Sequence, residues 1–269
     1  MNIQELNCFG IAPGGGNAAL VIQQDHTGAD QRQRLARERN KAACVFIDRD
    51  ADGAADKIVL DYFYPHTRSP LCLHATLAAA RVLLSAEQPS LRVSTAMRGQ
   101  PLTLTLQAGS VFIELTRQAP PAVDIPPDLP ALLLAAPGLR LASSPAIASV
   151  GSPKLLLQVA DSAALQALRP DLAAIHAWSK QHGVSGCYAW CLRPDGAAEG
   201  RNFNHLDPVM EDSATGVAAG ALTVHLRRNL VLYQGANMNQ PCLIRTQLNH
   251  ETILISGRTE FAPNKNNPT

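Results

Sequence analysis

The chain has little net charge and no long apolar run, and each shortage excludes a class of protein. Its 23 lysines and arginines are balanced by 22 aspartates and glutamates, and no basic run exceeds two residues. The basic surface of a nucleic-acid-binding protein is therefore not expected. No apolar stretch approaches the roughly 20 residues that cross a bilayer, and the N-terminus lacks a signal-peptide pattern. These absences predict a cytoplasmic protein that binds neither nucleic acid nor membrane.

Cysteines at metal-ligand spacing are also lacking. The six cysteines are scattered among apolar residues without a CxxC motif, so neither a disulfide framework nor a zinc site is predicted. His205 and Asp207 are conceivable metal ligands, but no third ligand follows at a useful spacing. We expect no metal, and we interpret most of the thiols as small buried side chains.

The length and the proline distribution predict two domains. A chain of 269 residues, 46% of them hydrophobic, is long enough for two domains of ordinary size. Residues 119–130 contain five prolines, which a helix or inner strand does not tolerate, so this segment is interpreted as a stiff linker. The predicted organisation is an N-terminal domain over 1–118, a C-terminal domain over 131–258, and a tail over 259–269. Packing of that tail on the first domain is a hypothesis.

The two halves repeat one order of predicted elements: strands, an outer helix, strands, a central helix and strands. The outer helices are predicted at 31–39 and 162–176. The central helices, at about 74–85 and 212–228, are apolar on every face, so each must be wrapped by sheet. The fold class is therefore α+β, with two pseudo-symmetric domains. Each is a curved mixed sheet around a central helix, and the active-site cleft is expected between them.

An ionisable side chain lies at the start of each predicted central helix. His74 begins the first helix and Asp212 the second, and unpaired backbone N–H groups at a helix start favour a carboxylate ligand. Two structural alternatives remain open. Asp212 with Thr215 is also a common N-cap pattern, and His74 is also compatible with a buried histidine without a catalytic role.

Several motifs, in this order and spacing, resemble the phenazine-biosynthesis PhzF-like isomerase family, which shares its fold with diaminopimelate epimerase. They are the Gly16-Asn17 stretch after Phe9, residues 63–65 followed by residues 70–76, the turn at 151–153, Arg201-Asn-Phe203, and residues 211–216.

The resemblance implies cofactor-free isomerisation of a small carboxylated metabolite by a homodimeric enzyme. A proton is taken from one carbon and returned at another. His74 and Asp212 match catalytic positions of the family, whereas the position of the family's glutamate falls on Ala43. The substrate-binding positions implied by the resemblance are Gly16, Asn17, Leu73, Ala75, Thr215, Gly216 and Val217.

Departures from the family pattern cluster around the expected chemistry. Besides Ala43, Leu73 replaces a glycine and Val217 a serine, and Arg68 is an additional cation that we expect to face solvent. Loss of a general base typically costs about 10²–10⁴ in rate, so the chemistry is expected to be altered, with Cys72 and Cys44 as candidate substitute bases. The alternatives are an inactive anion-binding homologue and a structural dimer partner.

Overall fold

The computed structural model describes residues 1–49, 57–203 and 211–263. These form two compact units: unit 1 comprises residues 1–114 and 256–269, and unit 2 comprises residues 115–255. By this division the proline-rich segment 119–130 lies in unit 2. Both His205 and Asp207 lie outside the described residues, as does the end of the predicted tail.

Within its described residues, the first half of the chain carries two helices and eight strands. They are β1 (Asn2–Phe9), β2 (Gly16–Gln23), α1 (Ala29–Arg39), β3 (Ala43–Arg49), β4 (Ile58–Phe63), β5 (Arg68–Ser69), α2 (Leu73–Leu83), β6 (Ser90–Thr95), β7 (Pro101–Gln107) and β8 (Ser110–Thr116).

Outside 204–210 and 264–269, the second half continues with four helices, a 3₁₀ turn and nine strands. They are α3 (Leu129–Leu133), β9 (Ala146–Ala148), β10 (Lys154–Gln158), α4 (Ser162–Ala167), α5 (Leu172–His182), β11 (Cys187–Leu192), β12 (Ala198–Phe203), β13 (Glu211–Asp212), α6 (Gly216–Leu226), β14 (Leu230–Gln234), the 3₁₀ turn Ala236–Met238, β15 (Cys242–Asn249), β16 (Thr252–Ser256) and β17 (Thr259–Phe261).

The two units repeat one sheet topology. In unit 1, β1 and β2 are antiparallel, β2 and β3 parallel, β3 and β4 antiparallel, β4 and β6 parallel, and β6 and β7 antiparallel. In unit 2, the series β9, β10, β11, β12, β14 and β15 alternates in the same way. The short strands β5 and β13 pair with β4 and β12 just before each central helix. The mixed α+β fold with a repeated unit is therefore confirmed.

Small side chains allow each central helix to lie close to its sheet. Helix α2 packs on β1, β2 and β3, and α6 packs on β9, β10, β14 and β15. A Cβ atom added at Gly220 of α6 would lie 2.9 Å from Cγ2 of Val150, so glycine is needed for this approach. A helix on a protein surface usually has one polar face. Helices α2 and α6 are apolar on every face because they are buried.

Two predicted helices differ from the observed ones. The predicted helix over 162–176 is two helices, α4 and α5, because Pro170 between them has no N–H to donate. The second central helix begins at Gly216, not at Asp212. Asp212 lies in β13, where pairing with Asn202 holds the chain extended.

The six cysteines are buried free thiols, as interpreted from the sequence. Cys187 and Cys191 belong to the apolar core of unit 2. The described part of the tail pairs with unit 1, because β17 is antiparallel to β1. No helix within the described ranges is long and apolar enough to cross a membrane.

Candidate functional site

A thiol and an imidazole meet at the start of α2. Cys72 is the N-cap residue of this helix, and its Sγ lies 3.3 Å from Nδ1 of His74 in the first turn. Both side chains are buried, with 2% and 4% of their surface exposed. The thiol and the imidazole are therefore within hydrogen-bond distance of each other at the start of the helix.

The backbone around this pair is held by a buried hydrogen-bond chain. Thr76 donates its N–H and its hydroxyl to the Cys72 carbonyl oxygen, at 2.9 Å and 2.8 Å. The hydroxyls of Thr76 and Tyr62 lie 2.7 Å apart, and burial raises the pKa of the Tyr62 phenol well above its ordinary range. The phenol therefore stays protonated, and its hydrogen bond to Thr76 positions the helix start.

Neither residue 43 nor residue 44 offers a general base. Ala43 begins β3, has no exposed surface, and pairs with Ala19 of β2. Cys44 points to the core on the other face of the strand, and burial raises the pKa of its thiol to about 12. Because this thiol is protonated near neutral pH, Cys44 is a poor substitute base.

The glycine-rich stretch before β2 is a tight turn closed on the protein itself. Gly16 has a φ of 109°, and an added Cβ would lie 2.4 Å from the Cys8 carbonyl oxygen, so the position requires glycine. The N–H of Gly14 already donates to Glu260 at 3.3 Å. Asn17 follows in β2 and is buried.

In unit 2, Asp212 is oriented by the residue that precedes α6. The hydroxyl of Thr215 donates to Oδ2 of Asp212 at 2.6 Å. Thr215 is the N-cap of α6 and makes no side-chain hydrogen bond to the helix N–H groups. The contact between Asp212 and Thr215 is therefore a hydroxyl–carboxylate bond, and Asp212 is not the helix cap. Gly216 and Val217 form the first turn of the helix.

Gln234, at the end of β14, holds the segment from Asp212 to Thr215 in place. Its Nε2 donates to the Asp212 carbonyl oxygen at 2.6 Å and to the Thr215 hydroxyl at 3.0 Å. Its Oε1 accepts from the Thr215 N–H and from the hydroxyl of Tyr188, both at 3.3 Å. All four hydrogen bonds hold the approach to α6 in one conformation.

Ion pairs at equivalent positions anchor β5 and β13. Arg201 binds Glu211 with two parallel bonds of 2.9 Å and 2.7 Å, and also donates to two backbone carbonyls. In unit 1 the charges are exchanged, and Arg68 binds Asp61 at 2.8 Å and 3.0 Å. Arg68 departs from the expectation of a solvent-facing cation only in part: its side chain is 37% exposed, but its guanidinium pairs with the buried Asp61 carboxylate, which Arg32 also contacts at 3.3 Å.

A buried lysine lies near the charge of Asp212. Lys154 begins β10 with 2% exposure, and its Nζ donates to the carbonyl oxygen of Ser185. Burial lowers the pKa of Lys154 to about 8, and the negative charge of Asp212 opposes that shift. The sequence does show a lysine at the start of an apolar strand, but no motif in the sequence marks Lys154 as a site residue.

The described residues thus form one polar group at the start of each central helix. Cys72 and His74 are joined in unit 1, where Leu73 and Ala75 are buried neighbours in α2. Asp212 and Thr215 are joined in unit 2. Gln234 cannot be identified as a site residue from the sequence, because its contact with Asp212 joins positions that are 22 residues apart. That the two groups share one cleft stays a prediction.

Comparison with known proteins identifies relatives along nearly the whole chain. The family model PhzC-PhzF, described as phenazine biosynthesis-like protein, matches residues 6–260. The chain is 29% identical over 266 residues to an uncharacterized isomerase of Deinococcus radiodurans, covering 91% of this chain and 85% of that protein. It is 30% identical over 248 residues to the trans-2,3-dihydro-3-hydroxyanthranilate isomerase of Pseudomonas aeruginosa, covering 88% and 86%.

Solved structures share the fold at lower identity. A PhzF-family phenazine biosynthesis protein of Bacillus anthracis aligns with a TM-score of 0.76 at 20% identity, covering 97% of each chain. A hydroxyproline epimerase of Agrobacterium vitis aligns with a TM-score of 0.60 at 13% identity, covering 96% of this chain and 88% of that one. Both likenesses concern the fold.

Proposed function

Because the chain belongs to the phenazine biosynthesis-like PhzC-PhzF family, whose named relatives are isomerases, we propose that it is a cofactor-independent isomerase that transfers a proton within a small carboxylate. We propose further that the pair of Cys72 and His74 supplies the base, in place of the family's glutamate, whose position is occupied here by Ala43. A homodimer remains the family expectation.

The contact between Cys72 and His74 carries this proposal. Their 3.3 Å separation allows the imidazole to accept the thiol proton. The N-terminus of α2 stabilises the resulting negative charge. The competing thiol, Cys44, is buried to the same degree, its pKa is raised to about 12, and no imidazole lies beside it among the described contacts. Among the candidates named for the base in unit 1, Cys72 therefore has the better activation.

The reaction follows from these groups in three steps. His74 takes the proton of Cys72, and the thiolate removes a proton from a substrate carbon activated by conjugation with the carboxylate. The electron pair of the broken C–H bond moves into the conjugated system as an enolate, whose oxygen charge is favoured near backbone N–H groups of a helix start. The proton then returns at a different carbon, which completes the isomerisation without oxidation or reduction.

Asp212 is proposed as the second ionisable group of the site. Its carboxylate orientation is fixed by Thr215, and its backbone by Gln234. A fixed carboxylate can hold a substrate donor or move a proton during the second transfer. Its contribution is testable by Asp212→Asn, which keeps the shape of the side chain and removes its basicity.

Hydrogen exchange tests the proposal directly. The protein is incubated in D₂O with trans-2,3-dihydro-3-hydroxyanthranilate, the substrate named for the Pseudomonas relative, and with a panel of small unsaturated carboxylates and amino acids. Deuterium incorporation is followed by mass spectrometry. We expect exchange by the wild type and a loss of about 10²–10⁴ in rate for Cys72→Ser and His74→Gln.

Cys44→Ser is the matched control, because it makes the same substitution in a buried thiol of the same unit. Its exchange rate is expected to remain within about threefold of the wild type when folding is verified by circular dichroism. Equal losses in Cys72→Ser and Cys44→Ser would contradict the assigned base. Absence of exchange with every compound would favour an anion-binding homologue instead.

A further inference from the structure

One buried side chain of unit 2 has polar atoms that the folded chain leaves unused. Asn202 lies on β12 with no exposed surface, and neither its Oδ1 nor its Nδ2 has a hydrogen-bond partner within the described ranges. An unpaired buried amide is costly to folding, because both groups lose their hydrogen bonds to water. Buried carboxamides in proteins are usually paired, so this one needs an explanation.

The repeat within the chain makes the exception clearer. Asn202 is the fifth residue of β12 and pairs with Asp212 of β13, and Tyr62 is the fifth residue of β4 and pairs with Ser69 of β5. Tyr62 reaches the central helix of its unit and is satisfied by Thr76. At the equivalent position, Asn202 is shorter and makes no such bond.

Strand pairing sets the direction of the Asn202 side chain. Residues directly opposite each other in antiparallel strands have side chains on the same face, with Cβ atoms about 4.5–5.5 Å apart. Asn202 is opposite Asp212 on one side and Tyr188 on the other. Its free amide therefore lies on the face that carries the Asp212 carboxylate and the Tyr188–Gln234 hydrogen bond.

The charges near this amide are balanced. Lys154 precedes Leu156 by two residues, and Leu156 pairs with Tyr188, so the lysine belongs to the same face. The Lys154 ammonium and the Asp212 carboxylate are coupled electrostatically. A full charge on the ligand substituent that contacts Asn202 would disturb this balance. A neutral group that donates one hydrogen bond and accepts one would complement Asn202, and a hydroxyl is the smallest such group.

We propose that Asn202 is a specificity-determining residue, whose unpaired carboxamide binds a hydroxyl substituent of the ligand that contacts Asp212. This inference rests on the proposed function, because it assumes a small-molecule ligand at Asp212. It adds a recognition element in unit 2 that takes no part in proton transfer. The binding energy from these hydrogen bonds would explain why position 202 carries an amide, although an apolar side chain would pack there at lower cost.

Thermal unfolding without ligand gives the first test, independently of any activity. Both tryptophans, Trp178 and Trp190, lie in unit 2, so their fluorescence follows the unit that contains Asn202. We expect Asn202→Leu to raise Tm by roughly 2–8 °C, because it removes an unpaired buried amide. The control is Gln234→Leu, which removes a paired buried carboxamide on the same face and is expected to lower Tm.

Ligand binding gives the second test. Isothermal titration compares 3-hydroxyanthranilate with anthranilate, two aromatic acids that do not isomerise and differ by one hydroxyl. The wild type is expected to bind the hydroxylated acid about tenfold more tightly, as two neutral hydrogen bonds allow. In N202L the two affinities should agree within about twofold. Should N202L not fold, N202V offers the same comparison with an apolar β-branched side chain suited to a strand.

The outcomes separate this inference from the proposed function. A fall in Tm for N202L similar to that of Gln234→Leu would contradict an unused amide. Equal affinities of the wild type for the two acids, or no binding of either, would overturn the hydroxyl assignment. Loss of hydroxyl discrimination in N202L, with deuterium exchange absent in the wild type, would support the recognition site and sink the isomerase proposal.

Discussion

Removing one partner of the ion pair between Arg201 and Glu211 should strongly destabilise unit 2. The arginine makes four hydrogen bonds, two to the carboxylate and two to the carbonyl oxygens of Leu165 and Leu168. The side chains of the pair are 8% and 15% exposed. Arg201→Met removes all four bonds and leaves a buried carboxylate unpaired.

The expected cost follows from that burial. Removing one partner of a buried ion pair typically costs about 3–5 kcal/mol, because the other charge is left uncompensated. Urea unfolding followed by tryptophan fluorescence measures this cost, since both tryptophans lie in unit 2. In Arg201→Met with Glu211→Gln, the buried charge is also removed. The double variant should therefore lose less than the sum of the two single losses, by roughly 1–3 kcal/mol.

Arg169→Met is the matched control. Arg169 is exposed and also donates to the Leu168 carbonyl oxygen, but it has no carboxylate partner among the bonds described. Its loss should stay within about 1 kcal/mol. A loss below about 1 kcal/mol in Arg201→Met, or additive losses in the double variant, would refute the reasoning from burial.

Two further predictions concern packing and pH. A Cβ atom at Gly200 would lie 2.1 Å from the hydroxyl oxygen of the buried Tyr188, so Gly200→Ala should cost about 1–3 kcal/mol in urea unfolding through overpacking; an unchanged midpoint would contradict that close contact. Burial lowers the pKa of Lys154 from 10.5 to about 8. The unfolded state therefore binds more protons between these values, and the cost of this lysine falls as pH rises through that window. Lys154→Met should be the more stable protein at pH 7, by up to about 3 kcal/mol, and its advantage should shrink by pH 10; a gap independent of pH would argue against the shifted pKa.

The sequence predicts the fold better than the site. The absence of a polar face on both central helices indicates that each is wrapped by sheet, and local composition carries that information. Pro170 also carried enough local information to divide the predicted helix over 162–176. The position of Asp212 in a strand could not be read locally, because it depends on pairing with Asn202 across the segment between them.

The contacts that Gln234 makes within the site are also long-range. Gln234 is an ordinary polar residue in the sequence, and its role arises when β14 lies beside β12. The contact of Cys72 with His74 is local, and both residues could be named from the motif. The choice between Cys72 and Cys44 required the structure, in which an imidazole nitrogen lies 3.3 Å from the Cys72 sulfur and the pKa of the Cys44 thiol is raised by burial.

The most direct test of the central claim is the rate of deuterium incorporation by Cys72→Ser relative to Cys44→Ser, measured on the same substrate in D₂O. If the pair of Cys72 and His74 supplies the base, the ratio of the two rates is about 10⁻² or lower. A ratio near one, with both variants folded and the wild type active, would contradict the account.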